Sequence, residues 1–433
     1  MSRLPAPSAI ATCLLTLVLS ACSTQQHLPA SGVQPERFEY ISQQTVPADQ
    51  TPEQVAQRLG GKVAFWHEAS RTVVVGYHST SSFQKLASGV TLESNPDTIE
   101  LPNPDHQVGQ LGGSIWAVGG SIWAVGGSIW AVGSLWNDLT YQLLPENSSA
   151  WNLLQLKEGH QKATALGKGV VVAVLDTGVD FEHVAWNSMA FVSPQLFHDY
   201  VDMDQYPKET GDPTQVGYGH GTGVTGVILQ IAPQARILPL RVLDANGQGD
   251  TIHLASAIYA AVDGGANVIN LSLGTNQRST ILETAIKYAQ GKNVTIVASA
   301  GNDGVGTLLY PAAFSKDYKN VISVGSVSTA LKKSTFSNYS PYLTLTGLGE
   351  NISTTFPKDR KTTWSGTSFS APEVSGAIAL ALSVNVNLTP DKILKHLSDT
   401  STSYAAINSD QKNLLGSGLL NVNKFIDAVG KDL

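Results

Sequence analysis

The chain has 433 residues, a formal net charge of -7 at pH 7, 14% charged residues and two cysteines. At about 150 residues per domain this length predicts two or three structural units, and two cysteines are too few for a small disulfide-stapled scaffold. The mildly acidic balance lacks the basic surface that a nucleic-acid partner requires, and an apolar content of 42% excludes a wholly disordered chain.

Residues 1–21 are typical of an export signal. Arg3 supplies a positive charge, and Ile10–Leu19 is an apolar run shorter than the about 20 residues that a membrane-spanning helix needs. The run leads into Leu-Ser-Ala-Cys ending at Cys22, which resembles the bacterial lipobox, whose cysteine receives a diacylglycerol. We expect an exported protein held in the cell envelope by lipid on Cys22, with release outside the cell after processing left open. An ordinary signal peptide with an incidental cysteine is the alternative.

A polar tether over 22–36 leads into a small unit over 37–103. Thr51-Pro52 marks a helix start and Gly60-Gly61 its end. The pattern predicts a β-α-β-β-α-β order, which is a ferredoxin-like α+β arrangement. The predicted elements are strands over Phe38–Ser42, Lys62–Trp66, Thr72–Tyr77 and Thr98–Leu101, and helices after Thr51 and over Ser81–Ser88.

Segment 104–140 contains Gly-Ser-Ile-Trp-Ala-Val-Gly three times, from Gly113 to Gly133. Seven is also the period of a coiled coil, but each glycine costs about 1 kcal/mol in a helix, and a Gly-Gly pair stands at every junction. The repeats therefore predict a linker and a domain boundary. A surface or partner contact made by the tryptophans is the alternative.

Strand and helix patterns alternate in the last unit, 141–433. Continuous apolar runs are typical of parallel strands that are buried on both faces, and their alternation with helices predicts a doubly wound, mostly parallel α/β sheet. Ligands of such sheets bind beyond the carboxyl ends of the strands. The predicted strands are Val170–Leu175, Ile237–Leu243, Val268–Leu273, Val294–Ala298 and Val321–Val327, and the predicted helices are Gly221–Gln230, Thr251–Asp263 and Thr280–Gln290.

Three glycine-framed segments of this unit carry the residue types of nucleophilic catalysis. Asp176 ends the first buried strand, and His220 and Ser368 each open a helix. A serine hydroxyl becomes nucleophilic when an imidazole takes its proton, and a carboxylate orients that imidazole and stabilises its cation. The flanking glycines are expected to leave His220 and Ser368 accessible to substrate.

Other interpretations of these segments fit less well. Asp-Thr-Gly also marks aspartic proteases, but these need a second such loop, and a nucleotide-binding turn after the first strand would need more than one glycine. The Gly-His-Gly segment lacks a second histidine at metal-ligand spacing. Ser370 is a less well placed nucleophile than Ser368. A catalytically dead, peptide-binding lipoprotein remains an alternative in a different functional class.

Together the segments, in the order Asp, His, Ser, resemble the subtilisin-like serine peptidases, the subtilases, over Gly169–Leu382. The resemblance implies an endopeptidase with Asp176, His220 and Ser368 as its triad. It also implies that Asn302 donates a hydrogen bond to the oxyanion together with the Ser368 N–H. Two strands would hold extended substrate through its backbone, which implies broad specificity. These substrate-binding residues are Ser272, Leu273 and Gly274 on one side and Gly247 and Gly249 on the other.

By position and element order the 37–103 unit is similar to a subtilase propeptide. The resemblance implies a self-processing precursor whose propeptide assists folding and then inhibits the enzyme; a permanent accessory domain is the alternative. The expected partners are protein or peptide substrates, the chain's own propeptide and, through lipid, the membrane. We expect a monomer that binds no nucleic acid.

Several positions depart from the family pattern. Gly223 stands where a histidine is usual, and Ala185 stands where many bacterial members have a calcium-ligating aspartate. Leu309 replaces a glycine at the floor of the main specificity pocket, which predicts a shallower pocket. No cofactor is expected. Four acidic residues before His220 are interpreted as a solvated face, with a weak calcium site as the alternative; these are Asp199, Asp202, Asp204 and Asp212.

Overall fold

The computed structural model describes residues 38–79, 90–95, 99–100, 144–186, 190–411 and 413–432. The predicted export signal, the tether with Cys22, the helix over Ser81–Ser88 and the tryptophan-containing repeats lie outside the described residues. Within the described ranges, no helix combines the length and the apolar character needed to cross a membrane.

The N-terminal unit contains a four-stranded antiparallel sheet of order β2-β3-β1-β4. Its helix begins as the sequence predicts, because Thr51 Oγ1 accepts the Gln54 N–H while Gln54 Oε1 accepts the Thr51 N–H. Val55 and Leu59 pack with Val73 and Val75 into a small separate core. The elements are β1 Tyr40–Thr45, α1 Pro52–Arg58, β2 Lys62–His67, β3 Thr72–Tyr77 and β4 Glu93–Ser94.

The prediction of Thr98–Leu101 as the last strand of this sheet is wrong. Glu93–Ser94 already pairs with the free edge of β1, with Tyr40 opposite Ser94. Because β4 occupies the edge beside β1, the backbone N–H and C=O groups of a later strand need partners elsewhere. Ile99–Glu100 (β5) instead pairs antiparallel with Gln248–Gly249 (β9) in the C-terminal unit.

The C-terminal unit is built on a seven-stranded sheet of order β13-β12-β11-β10-β6-β8-β7. All of its strand pairs are parallel, as the continuous apolar runs predict. The sheet strands are β6 Val171–Asp176, β7 His198–Asp199, β8 Arg236–Arg241, β10 Val268–Leu271, β11 Thr295–Ser299, β12 Val321–Val327 and β13 Leu345–Leu348. The helices are α2 Ser148–Leu153, α3 Leu156–Lys162, α4 His220–Ile231, α5 Thr251–Asp263, α6 Thr280–Gly291, α7 Thr367–Val384, α8 Pro390–Thr400 and α9 Val422–Gly430.

Helices cover both faces of this sheet and form two apolar cores. One core joins α4, α7 and α9 to one face, with Ile228, Ile378 and Phe425 fully buried. The other core lies under α5 and α6 and also contains Phe38 and Ile41 of the N-terminal unit. Shared burial of apolar side chains therefore holds the N-terminal unit against α5 and α6.

A two-stranded hairpin, Ile352–Phe356 (β14) and Arg360–Trp364 (β15), lies outside the main sheet. It packs against α4, where Thr354 Oγ1 donates to the Gly223 carbonyl (2.7 Å) and Thr355 Oγ1 donates to the Thr222 carbonyl (2.8 Å). The hairpin therefore braces the helix that carries His220.

Candidate active site

Asp176 and His220 meet at the carboxyl end of the sheet. Asp176 is the last residue of β6, and His220 is the first residue of α4. Their side chains form a hydrogen bond of 2.8 Å between Asp176 Oδ1 and His220 Nδ1, and they are 1% and 3% exposed. Asp176 Oδ1 also accepts the Thr177 N–H (2.8 Å). The carboxylate thus fixes the ring orientation and leaves Nε2 as the nitrogen available for proton transfer.

Ser368 occupies the second position of α7 and is 3% exposed. The next residue, Phe369, places its ring 5.3 Å from the His220 ring, so the start of α7 lies beside the imidazole. The Ser368 hydroxyl donates to the Ser272 carbonyl oxygen (3.2 Å). The hydroxyl must give up this hydrogen bond before it can donate to His220, as catalytic hydrogen bonds often tighten only with substrate bound.

Asn302 faces the same start of α7. Its Oδ1 accepts the Thr367 N–H (2.9 Å) and the Thr367 hydroxyl (2.8 Å). The amide nitrogen Nδ2 is thereby turned toward Gly366, where a methyl group added to the glycine would lie 3.1 Å from Nδ2 and 3.8 Å from the Ser368 backbone nitrogen. Two N–H donors thus border one small space in front of Gly366. Sequence reasoning missed the orienting role of Thr367.

The two predicted substrate-binding segments lie on different sides of the site. Ser272 is tied to α7, because its Oγ donates to the Ser368 carbonyl oxygen (2.7 Å). On the other side, Gly249 packs so closely that a methyl group there would lie 2.3 Å from the Val242 carbonyl oxygen. The backbone of this second segment pairs with β5 of the same chain, Ile99 opposite Gly249.

Leu309 lies between two glycines of the site and is 7% exposed. A methyl group on Gly274 would lie 2.8 Å from Leu309 Cβ and 3.1 Å from its Cδ1, and one on Gly301 would lie 2.9 Å from Leu309 Cγ. Gly274 ends the Ser272-Leu273-Gly274 segment, and Gly301 precedes Asn302. The Leu309 side chain thus fills the space between the Ser272-Leu273-Gly274 segment and Gly301.

Comparisons with known proteins agree with this geometry. A profile described as the subtilase family matches residues 167–418, more than half of the chain. Subtilisin Savinase from Lederbergia lenta is 34% identical over 286 residues, which are 63% of this chain and 97% of that protein. A thermophilic serine proteinase from Bacillus sp. (strain AK1) is 34% identical over 289 residues, but the matched region spans 66% of its length and 62% of this chain.

A solved structure, that of a cold adapted subtilisin-like serine proteinase, matches 59% of this chain and 89% of its own, with 30% identity and a TM-score of 0.51. The chain belongs to the subtilase family. The predicted subtilisin-like α/β fold is confirmed, and the enzyme class of this subtilase is serine endopeptidase.

Aromatic rings surround Gly223, the position at which the family resemblance leads us to expect a histidine. A methyl group on Gly223 would lie 3.0 Å from Trp364 Nε1 and 3.3 Å from Phe369 Cε1. Trp364 is fully buried, stacks on Phe369 (5.2 Å between ring centres) and meets the His220 ring edge-on at 5.8 Å. A larger side chain at Gly223 would collide with Trp364. Trp364 stands two residues before the Gly366-Thr367-Ser368 segment, a signal that sequence reasoning did not use.

The interpretation of the acidic loop as a solvated face is wrong for Asp199. This residue is 1% exposed, and its Oδ2 accepts a hydrogen bond from the Arg241 guanidinium (2.8 Å), which also binds Asp202. A buried carboxylate needs such a partner, and Arg241 stands at the end of β8, where the sequence pattern did not reveal it. Asp204 and Asp212 instead accept backbone N–H groups of their own turns.

The described residues contain no group of three or more histidine, cysteine, aspartate or glutamate side chains arranged to hold a metal ion. Ala185, where the family resemblance leads us to expect a calcium-ligating aspartate, is buried and offers only a methyl group. Ser370, the rival nucleophile, is fully buried, and its hydroxyl makes no hydrogen bond within the described structure.

Proposed function

We propose that this subtilase is an exported endopeptidase in which Ser368 attacks the carbonyl carbon of a peptide bond. The observation that carries the proposal is the buried 2.8 Å hydrogen bond between Asp176 and His220 beside the start of the Ser368 helix. His220 Nε2 takes the hydroxyl proton as the Ser368 Oγ–carbon bond forms, and it then gives that proton to the leaving amine. Water hydrolyses the resulting ester with His220 as the base again. No cofactor takes part in these steps.

The negative charge of the tetrahedral intermediate develops on the former carbonyl oxygen. Asn302 Nδ2 and the Ser368 N–H supply the hydrogen bonds that stabilise it, since both nitrogens face the space in front of Gly366. Thr367 holds the Asn302 amide in position before substrate arrives, which saves the cost of reorienting it during the reaction.

Substrate is bound as an extended strand between Ser272-Leu273-Gly274 and Gly247-Gln248-Gly249. Backbone hydrogen bonds to such edges do not depend on side chains and support broad specificity along most of the peptide. The P1 side chain, on the residue whose carbonyl is attacked, is the exception. Because Leu309 fills the space between Gly274 and Gly301, this pocket accepts small side chains better than large ones.

The N-terminal unit acts as an inhibitory propeptide. Its β5 strand pairs with β9, the edge that substrate would use. Glu93 accepts the Thr280 N–H at the start of α6 (3.1 Å), where a carboxylate complements the helix dipole. Gln43 Nε2 donates to Thr284 Oγ1 in the same helix (2.8 Å). These contacts support a unit that covers the substrate edge until it is cut away.

The proposals of export and of lipidation at Cys22 rest on the sequence of the N-terminal segment. The enzyme is proposed to act in the cell envelope as a monomer. Release from the envelope after processing is the alternative location. Metabolic labelling with palmitate tests the anchor: the wild-type chain should incorporate label, and Cys22→Ala should not. Label that persists in Cys22→Ala would contradict lipidation at this residue.

The catalytic proposal is tested with a fluorophosphonate probe, which reacts only with an activated serine, and with casein hydrolysis. Wild-type protein and Ser370→Ala should be labelled and active, because the Ser370 hydroxyl makes no hydrogen bond to lose in the described structure. Ser368→Ala should lose both labelling and hydrolysis while keeping its circular dichroism, and its precursor should stay uncut. Unlabelled, inactive wild-type protein would instead favour a peptide-binding lipoprotein.

A further inference from the structure

Glu209 is a buried carboxyl group that the triad mechanism does not use. It lies in the loop before α4 and is 7% exposed. Its Oε2 accepts hydrogen bonds from the Thr222 hydroxyl (3.0 Å) and the Thr222 N–H (3.3 Å). The carboxyl group also lies against the Thr177 hydroxyl and the Gly219 N–H. Its Oε1 makes no hydrogen bond of normal geometry within the described residues.

The groups around Glu209 flank both partners of the catalytic hydrogen bond. Thr177 follows Asp176, and its hydroxyl oxygen accepts the Gly221 N–H (3.0 Å), one residue past His220. Thr222 follows two residues after His220 in the first turn of α4. The Glu209 carboxyl therefore bridges the end of β6 and the start of α4.

We propose that Glu209 is a positioning residue that holds the strand end carrying Asp176 against the helix start carrying His220. The proposal rests on the function proposed above for that pair. A positioning role differs from a purely packing role, because an apolar side chain of similar size could fill the same space but could not accept the hydrogen bonds of Thr222. A small change in the distance between β6 and α4 would alter the 2.8 Å hydrogen bond between Asp176 and His220, on which the orientation of the imidazole depends.

The charge of Glu209 gives the role a measurable signature. Burial, assisted by the negative charge of Asp176, raises the pKa of Glu209 to about 8. The titratable groups beside Glu209 are Asp176, which binds His220, and Tyr218. Asp180 and Arg360 lie beside Tyr218 in turn. Glu209 is uncharged at neutral pH, so Asp176 supplies the negative charge that faces the His220 ring. At alkaline pH the ionised Glu209 places a second negative charge beside the Asp176–His220 pair, and kcat/KM should respond to that change of charge.

Two substitutions separate positioning from charge, with Glu373→Gln as the matched control. Glu373 is likewise a buried carboxyl with a raised pKa, but it binds the Leu348 N–H (2.8 Å). Glu209→Gln keeps an acceptor for Thr222 and cannot ionise. We expect near wild-type kcat at pH 6.5 and loss of the inflection near pH 8 in the kcat/KM profile. Glu209→Leu should lower kcat about 10- to 100-fold with little change in KM.

A second readout does not depend on activity. His220 titration is followed by NMR in the inactive Ser368→Ala chain, with and without Glu209→Gln and Glu373→Gln. The His220 resonances should also report the ionisation of Glu209 as an inflection near pH 8, and only Glu209→Gln should remove that inflection. Superimposable His220 curves, or a folded Glu209→Leu variant with full kcat, would overturn the inference. Failure of the proposed function would look different, since wild-type protein would then neither hydrolyse peptides nor react with fluorophosphonate.

Discussion

Leu309→Ala is expected to change which peptide bonds the enzyme prefers. The substitution removes Cγ and both Cδ atoms from the space between Gly274 and Gly301. Burial of apolar groups is worth about 0.8 kcal/mol per CH₂, so a P1 side chain that fills the vacated space gains roughly 2 kcal/mol. At about 1.4 kcal/mol per tenfold, the ratio of kcat/KM for P1 phenylalanine over P1 alanine should rise about 30- to 50-fold.

Peptide p-nitroanilides that differ only at P1 measure this ratio. Leu308→Ala is the matched control, because Leu308 is equally buried but belongs to the apolar core under α5 and α6. Both variants should lose stability, by about 2 to 5 kcal/mol for a buried leucine, and only Leu309→Ala should change the ratio. A wild-type enzyme that already prefers phenylalanine, or a folded Leu309→Ala enzyme with an unchanged ratio, would refute the reasoning.

Further predictions concern the catalytic groups and the buried charges. Asp176→Asn should lower kcat by about 10⁴-fold, as in the chymotrypsin-type triad. Asn302→Ala should lower kcat by about 10²- to 10³-fold, the loss known for the equivalent subtilisin donor. Steady-state kinetics measure both losses. Asp199→Asn should cost about 1.5 to 3 kcal/mol in urea unfolding, because Arg241 loses its buried carboxylate partner and keeps only Asp202 and the Thr210 hydroxyl. The pKa of Glu209 is about 8 in the folded chain and 4.5 in the unfolded chain, so between these values the folded state holds a proton that the unfolded state has lost. The free energy of unfolding therefore falls as pH rises from about 5 to 8. Glu209→Gln should flatten that fall in urea unfolding of an inactive variant.

The sequence predicted the buried parts of the large sheet well, for a physical reason. Strands covered on both faces need continuous apolar runs, and Val321–Val327 is observed as predicted. Helix Thr251–Asp263 is also observed as predicted, since Asp250 caps it by accepting the Ile252 and His253 N–H groups. Local sequence therefore suffices to predict the type and bounds of an element that is set by burial on both faces or by a helix cap.

The sequence did not predict the hairpin Ile352–Trp364. Its strands are rich in threonine, and its turn contains Lys358 and Asp359, both with positive φ (64° and 56°). Such turns usually carry Asn-Gly or Asp-Gly, so the common signal is missing. The hydrogen bonds between Glu209 and Thr222 could not be predicted from local sequence either. The burial of a carboxyl group depends on which chain segments pack around it in the folded protein.

The glycines around His220 fit the observed structure for a reason other than the predicted one. They were expected to give substrate access, yet the imidazole is 3% exposed and protein atoms occupy the vacant positions. A methyl group on Gly221 would lie 2.2 Å from the Gly178 carbonyl oxygen, and one on Gly219 would lie 2.5 Å from the Phe356 ring. Gly221 thus lets α4 approach the loop after Asp176 closely enough for the catalytic hydrogen bond to form. At these two positions, glycine allows the close packing on which the triad depends.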